Sequence, residues 1–535
     1  MPKVSIDNRE VVVPAGATIL DAARKLGIEI PTLCFADGLP PRTSCMVCVV
    51  RVHGLHRLVP ACAYPVREGL VVESQTQEVR EARRTALELL LADHLGDCVG
   101  PCQSVCPAHM DIPRMIRQIG QGDLRGALIT VKQRIALPAV LGRICPELCE
   151  HGCRRALKDG AVSICLLKRY VADADLASPQ PYLPPCKPPT GKRVAIVGAG
   201  PAGLSAAYYL LQQGHACAIY DDHERPGGNL RYGVSEEVLP HDVLYAEIGL
   251  IVKLGAQLLM GQRLGRDFSL DDLQRGHDAV LLAFGEVKPL EAAKLGLEMA
   301  GRGVKADRAT WMTARRGVFV AGSALTPSKH AVRAVGSGRC AAEAIGQFLA
   351  GRTIQVEDSP WSVHIGRLKP EELPPYLAGS DPSPRQQAAG AAGALTPEQA
   401  RCEAARCLRC DCAGLQDCRL RLYAEQYDAN PNRFRGPRLP LVKDESHPEV
   451  VHEPGKCISC GLCVQISAQE KDGLGLAYIG RGFNMRIAVP FNASLKEGLG
   501  KAARACADAC PTGALVAKPG GQAANGPAPS AEANS

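Results

Sequence analysis

Twenty of the chain's 24 cysteines fall into tight groups, so the fold must be built around whatever those thiols hold. The groups are Cys34, Cys45, Cys48 and Cys62; Cys98, Cys102 and Cys106; Cys145, Cys149, Cys153 and Cys165; Cys407, Cys410, Cys412 and Cys418; and Cys457, Cys460 and Cys463 with Cys506 and Cys510. Cys186, Cys217, Cys340 and Cys402 stand apart and read as buried or idle thiols. Met1-Pro-Lys3 runs directly into a polar, strand-like stretch, so no signal peptide is expected. No apolar run approaches membrane-spanning length. A cytoplasmic, reducing setting follows, in which grouped cysteines read as metal ligands rather than disulfides. The net charge of +7 is spread along the chain and does not call for nucleic acid. A length of 535 residues points to several domains.

The second constraint is Lys192–Gly203, KRVAIVGAGPAG. An apolar strand, Val194 to Val197, runs into Gly198-Ala-Gly200-Pro-Ala202-Gly203 and then a helix. Gly198 permits the tight turn, Gly200 lets a pyrophosphate approach the backbone, and Gly203 lets helix and strand close up. The diphosphate would sit on the helix N-terminus. The next strand, HACAIYDD, places Asp221 about twenty residues on, where an acid can bond a ribose hydroxyl.

Residues 1–75 open with a hairpin pattern around Asp7-Asn8, then a helix capped by Thr18 and ended by Gly27. Cys34, Cys45, Cys48 and Cys62 follow as C-x10-C-x2-C-x13-C, a set that could hold zinc or a [2Fe–2S] centre. The stretch resembles the β-grasp [2Fe–2S] domain of the large iron–sulfur subunit of respiratory complex I and of related hydrogenases and formate dehydrogenases.

Residues 76–180 begin with an amphipathic helix, after which His94, Cys98, Cys102 and Cys106-Pro107 precede Cys145, Cys149, Cys153 and Cys165. PAVLGRICPELCEHGCRR and GAVSICLLKRY resemble the N-terminal domain of the glutamate synthase small subunit and of dihydropyrimidine dehydrogenase. That resemblance implies two cross-ligated [4Fe–4S] clusters. One would take Cys106, Cys145, Cys149 and Cys165. The other would take Cys98, Cys102 and Cys153, with His94 either its fourth ligand or a polar helix end. Where the family often has Gln or Glu, this chain has Lys168, which cannot ligate while protonated. A proline-rich linker covers 181–191.

Residues 192–355 continue with ERPGGNLRYGV, which resembles the segment lying along FAD in the glutamate synthase family. Gly227, Gly228 and Arg231 are carried over as FAD contacts. Two later stretches, HDAVLLAFGEV and RRGVFVAGSAL, read as the strands that end and resume an FAD fold, with Gly322 and Ser323 at the cofactor. The family has an aspartate at the position of Ser323. In the family a second Rossmann domain, for NAD(P)H, lies between these halves. Here only about thirty residues intervene, with no second fingerprint.

Residues 356–400 read as a flexible linker and 401–425 as a Cys-rich motif, zinc or [4Fe–4S], on Cys407, Cys410, Cys412 and Cys418. Residues 426–517 resemble a bacterial-type ferredoxin. Cys457, Cys460, Cys463 and Cys510 complete one [4Fe–4S] set, Ser467 interrupts the other, and Cys506 has no role. Residues 518–535 read as a disordered tail.

The expected fold is thus multidomain α/β and α+β: a β-grasp ferredoxin, a helical [4Fe–4S] domain, a Rossmann-type FAD domain lacking the inserted NAD(P)H domain, and a ferredoxin-like domain. The expected cofactors are FAD, one [2Fe–2S] and two to four [4Fe–4S] clusters. No Ser/His/Asp or paired-carboxylate set competes for a catalytic role. The expected function is an electron-transfer subunit of a multi-subunit oxidoreductase. Its partners would be an NAD(P)H-oxidising or terminal catalytic subunit, or a ferredoxin. The alternatives are a self-sufficient NAD(P)H:acceptor oxidoreductase and a zinc-held scaffold.

Overall fold

The computed structural model describes residues 1–356, 358–388, 393–436 and 441–518. The chain divides into two units: Met1–Cys98 with Trp361–Pro375 and the residues from Asp411 on, and Val99–Pro360 with Tyr376–Cys410.

The first unit begins with a sheet of five strands, β1 (Lys3–Ile6), β2 (Arg9–Val12), β3 (Val49–Val52), β4 (Val59–Pro60) and β5 (Val71–Glu73), in the order β2-β1-β5-β3-β4. β1 runs antiparallel to β2 and parallel to β5. Asp7 and Asn8 both take positive φ, 47° and 64°, as a two-residue hairpin turn requires. Helix Ile19–Lys25 starts on a reciprocal cap between Thr18 and Asp21 and lays Ile19, Leu20, Ala22 and Ala23 on the sheet's apolar face.

Helix Gln77–Ala92 packs in this unit through Leu87 and Leu91. Its Arg83 is fully buried, yet donates to the Val49 carbonyl at 3.0 Å and the Tyr427 hydroxyl at 2.8 Å. A buried guanidinium is tolerable only with such partners. Toward the C-terminus, strand Val450–His452 pairs antiparallel with Leu515–Ala517, and Ala477–Ile479 with Arg486–Ala488. Helices Leu462–Glu470 and Ala503–Ala509 flank a core of Leu476, Ile487, Leu495 and Leu499.

The second unit starts with short helices, among them Pro101–Val105, Ile112–Gly120, Leu124–Lys132, Pro138–Ile144, Leu148–His151 and Ile164–Leu176. Then comes a parallel sheet built from β6 (Arg193–Val197), β7 (Ala216–Asp221), β8 (Gln257–Met260), β9 (Ala279–Leu282) and, after a hairpin of β10 (Met299–Ala300) and β11 (Gly303–Val304), β12 (Val318–Val320). The order is β12-β9-β6-β7-β8, a doubly wound arrangement. β12 pairs directly with β9, Phe319 opposite Leu281. The halves of the fold therefore meet across the short connection, and no second parallel sheet exists among the described residues. Helices Pro201–Gln212 and Ala331–Leu349 pack so closely that a Cβ on Gly338 would lie 2.2 Å from the Ala202 carbonyl oxygen.

The stretch expected to be a flexible linker is packed where it is described. Trp361 Nε1 donates to the Ala429 carbonyl and Ile365 N–H to Asp97. Further on, Arg385 donates to Ser163 Oγ at 2.9 Å, and Thr396 caps helix Pro397–Ala405. Low complexity hid these anchors because single Trp, Arg and Thr side chains supply them. Residues 357 and 389–392 of that stretch, and 519–535 of the expected disordered tail, lie outside the described residues.

Within the second unit, Glu247 is buried and takes the N–H groups of Ala139 and Val140 at 3.0 and 2.9 Å, capping helix Pro138–Ile144. Burial raises its pKa from 4.5 to about 7, against the opposing pull of Lys132, the two amides and Arg143. The native state therefore holds the proton more tightly than the unfolded one. The contribution of Glu247 to stability is fully present below pH 4.5 and is lost as pH rises to about 7, by at most about 3 kcal/mol. Glu247→Gln should flatten that decline in apparent Tm measured at pH 5 and 7.5; an unchanged slope would place the titration elsewhere.

Candidate functional site

The fingerprint loop is closed by hydrogen bonds from two sides. Ala199 N–H donates to Asp221 at 2.7 Å, and Gly227 N–H donates to the Ala199 carbonyl at 2.9 Å. Gly198 has φ +115°, and a Cβ there would meet the Ala283 carbonyl oxygen at 2.4 Å; one on Gly203 would meet the Gly198 carbonyl oxygen at 1.9 Å. Both glycines are demanded by packing. Gly200 differs: a Cβ there would meet only the Gly228 Cα, at 4.0 Å, so its missing side chain leaves room for a ligand. Gly228 lies across the same opening. Gly322, whose Cβ would strike the Ala202 Cβ at 2.7 Å, begins the turn after β12.

The polar residues expected there are partly engaged. Asp221 is buried, and its second oxygen accepts from the His223 backbone and ring. Ser323 donates to the Ser328 carbonyl at 3.3 Å. Arg231 has a buried Nη1 without a hydrogen-bond partner and lies 5.1 Å from the Tyr245 ring centre. A buried guanidinium nitrogen with nothing to donate to is what an absent anionic or carbonyl ligand would leave.

The thiols converge in distinct places. Cys34 and Cys45 have their sulfurs 3.3 Å apart, Cys48 and Cys62 theirs 3.4 Å apart, and all four are buried. In each pair one thiol is made more acidic by its neighbour's S–H (Cys34, Cys48), and the other retains its proton (Cys45, Cys62). In the second unit, Cys165 bonds Cys145 and Cys149, and Cys106 shares their apolar core. Lys168, buried, donates to Cys165 Sγ at 3.8 Å. Burial opposes its charge, but the thiols of Cys165, Cys145, Cys149 and Cys106 outweigh that and raise its pKa. Lys168 therefore compensates thiolate charge and does not compete as a ligand.

The remaining cysteines regroup. His94 and Cys98, expected beside Cys102 and Cys153, instead line a cavity of the first unit with Cys412 and Cys418. Cys102, Cys153 and Cys407 border one apolar core of the second unit, with Cys410 at the end of the same unit. Gly152 abuts the Pro101–Val105 helix that carries Cys102, and Arg155 donates to the Arg406 carbonyl at 3.1 Å, setting Cys407 near Cys153. Arg406 is itself fully buried, paired with Glu403 at 2.7 Å and Asp159 at 3.0 Å. The motif 401–425 is thus split between the two units after Cys410. Sequence spacing grouped these cysteines with their chain neighbours; long-range packing divides them.

Cys457, Cys460, Cys463 and Cys510 line one cavity. Ser467 accepts from Leu476 N–H at 3.0 Å and donates to the Val464 carbonyl, and Cys506 is buried with its sulfur 3.5 Å from the Cys463 carbonyl oxygen. Lys456, whose Nζ lies 3.7 Å from Cys412 Sγ, was not foreseen, and Lys168 is read from the sequence only as a residue that cannot ligate. A lone lysine carries no periodic signal, although a Lys adjoining a cysteine motif is one available cue.

Comparison with known proteins matches three segments to families. Residues 2–77 match the 2Fe-2S iron-sulfur cluster binding domain, 73–179 dihydropyrimidine dehydrogenase domain II with its 4Fe-4S cluster, and 196–267 the NAD(P)-binding Rossmann-like domain. The resemblance to the glutamate synthase small-chain lineage holds. The chain is 35% identical over 211 residues to the glutamate synthase [NADPH] small chain of Escherichia coli K12, covering 39% of this chain and 44% of that one. It is 38% identical over 208 residues to NADPH-Fe(3+) oxidoreductase subunit beta of Geobacter sulfurreducens (38% and 30%). It is 39% identical over 187 residues to the NAD-dependent dihydropyrimidine dehydrogenase subunit PreT of E. coli K12 (35% and 45%). The matches span less than half the length of each of these relatives. The chain carries iron–sulfur and Rossmann-like domains, and no helix among its described residues is long and apolar enough to cross a membrane.

The two glycines separate ligand binding from packing. Gly200→Ala should fold normally, by circular dichroism and Tm, while lowering nucleotide affinity at least tenfold. Gly203→Ala should fail to fold. Unchanged affinity in Gly200→Ala would remove the phosphate from this loop.

Proposed function

We propose that the chain is a flavin- and iron–sulfur-containing electron-transfer subunit of a multi-subunit oxidoreductase, with FAD in the Rossmann fold. The observation that carries this is the meeting of the nucleotide fold with a thiol group inside one unit. A Cβ on Gly336, in helix Ala331–Leu349, would come within 2.8 Å of the Pro107 carbonyl oxygen, next to Cys106. Val332 and Val335 of that helix share a core with Cys106, Cys149 and Cys165. Electron tunnelling decays steeply with distance, so a nucleotide cradle built against a thiol cage suits transfer between them. Bound in these places, FAD would exchange electron pairs and iron–sulfur clusters single electrons. The named relatives are oxidoreductases or oxidoreductase subunits, which supports the reading.

The residues fit such groups. Cys34, Cys45, Cys48 and Cys62 would hold a [2Fe–2S] centre. Cys106, Cys145, Cys149 and Cys165, and separately Cys102, Cys153, Cys407 and Cys410, would hold [4Fe–4S] centres in the second unit. Cys457, Cys460, Cys463 and Cys510 would hold another in the first. Around the flavin, Arg231 would donate through its unpartnered Nη1, and Gly200 and Gly228 would admit the diphosphate. The short β9–β12 connection leaves no room for a second dinucleotide fold, so the reading assigns NAD(P)H oxidation to a partner subunit.

The test mixes the anaerobically purified, cluster-replete chain with NADH and then NADPH, following flavin and iron–sulfur absorbance, with acid extraction to identify the flavin. The expected result is FAD on extraction and bleaching by dithionite but by neither nucleotide. Prompt bleaching by either nucleotide would overturn the partner assignment in favour of a self-sufficient enzyme.

A further inference from the structure

We infer that His94, Cys98, Cys412 and Cys418 form a histidine-ligated centre of the [4Fe–4S] class within the first unit. The inference rests on the iron–sulfur part of the proposed function and not on the flavin. Two stretches far apart in sequence supply the ligands, and backbone hydrogen bonds bring them together. Cys412 N–H donates to the Cys98 carbonyl at 3.1 Å, and Leu95 N–H donates to the Gly455 carbonyl at 2.7 Å, which sets Lys456 at the site. The three thiols lie near enough to act on one another electrostatically. All four residues line a single cavity.

Two observations point to a ligand in that cavity. The first is His94. Its Nδ1 is buried with no hydrogen-bond partner, while the ring bonds the backbone of Lys456. A ring fixed by one nitrogen and left with a bare lone pair on the other is how metal-binding imidazoles are oriented. The second is the set of donors aimed at sulfur. Arg421 N–H reaches Cys418 Sγ at 3.4 Å, Lys456 Nζ reaches Cys412 Sγ at 3.7 Å, and the Val363 backbone bonds Cys98. Buried thiols surrounded by N–H donors and a cation are arranged to carry negative charge.

Three cysteines and a histidine also suit tetrahedral zinc. The surroundings, however, favour a redox group. The apolar core containing Cys98 and Cys418 also contains Cys34, Cys45 and Cys460, which belong to the two other thiol sites of this unit. The centre would therefore join them as a third member. With a neutral imidazole in place of one thiolate, and Lys456 beside Cys412, it would carry less negative charge than an all-cysteine cluster and accept an electron more readily.

The experiment uses the full chain, purified anaerobically with its clusters, with and without ¹⁵N-histidine, reduced by dithionite and examined by pulsed EPR with metal analysis. The expected result is one [4Fe–4S] signal with a directly coupled nitrogen that changes isotope with the label. In His94→Cys that coupling should vanish while iron content is kept and the midpoint potential of that signal becomes more negative. In Cys412→Ser/Cys418→Ser the signal should disappear, with loss of about four irons per chain, the other signals remaining. Cluster signals without any histidine nitrogen coupling, or zinc in place of those irons, would overturn the inference alone. Absence of every cluster signal would overturn it together with the iron–sulfur reading, and the wild-type spectra decide this even if the variants fail to fold.

Discussion

One backbone hydrogen bond, from Cys412 N–H to the Cys98 carbonyl, marks the constraint on which the rest depends. The chain leaves its first unit after Cys98, returns to it for Trp361–Pro375 and rejoins it at Asp411. The segments at the first departure and the last return are bonded to each other. An insertion of this kind is compatible with a folded host only if its ends lie close together, as domain termini commonly do. Here the closeness has a chemical use, because each crossing point carries cysteines of both units. Cys98 and Cys102 part company on the way out, and Cys410 and Cys412 on the way back.

Burying so many ionisable sulfurs sets a charge problem that the chain solves locally. Burial pushes the thiols of Cys98 and Cys460 up to about 12, so the bare sites favour protonated sulfur. Metal binding must displace those protons. The counterweights are few and individually placed: Lys168 against Cys165, Lys456 against Cys412, and backbone N–H groups at Cys418 and Cys457. Where a cysteine's position depends on a neighbour, the neighbour is held firmly. Arg406, which precedes Cys407, shares a fully buried pair with Glu403, whose other oxygen takes the Gln386 N–H. Breaking such a pair from one side costs about 3–5 kcal/mol, so the geometry of the thiol is tied to the stability of the fold around it.

Much of the local structure was legible in the sequence because it rests on local chemistry. The Asp7-Asn8 turn, the Thr18 cap, the Val194–Val197 strand and the glycine loop after it all occur where their residue types require. The β9–β12 junction was legible for a different reason: the chain between the halves is too short to hold another fold. What the sequence hid was partnership at long range. His94 was visible as a candidate ligand from its spacing to Cys98, but spacing could not show that Cys412 and Cys418 complete the set. The stretch beyond residue 356 hid its anchors in the same way, since Trp361 and Arg385 act one at a time.

The ferredoxin-like region shows how a lost site is absorbed. In a two-cluster ferredoxin the positions of Ser467 and Cys506 would be ligands. Here the Ser467 hydroxyl both donates and accepts, closing the end of helix Leu462–Glu470 onto Leu476. Cys506, fully buried, packs among Leu495, Leu499 and Ala503 with its sulfur against the Cys463 carbonyl. A serine satisfied twice and a thiol sealed in an apolar core have exchanged metal binding for packing. Of the surviving set, Cys460 shares a core with Cys34 and Cys98, whereas Cys457, Cys463 and Cys510 pack against the core that holds Cys506, so the surviving site joins the unit's two apolar cores.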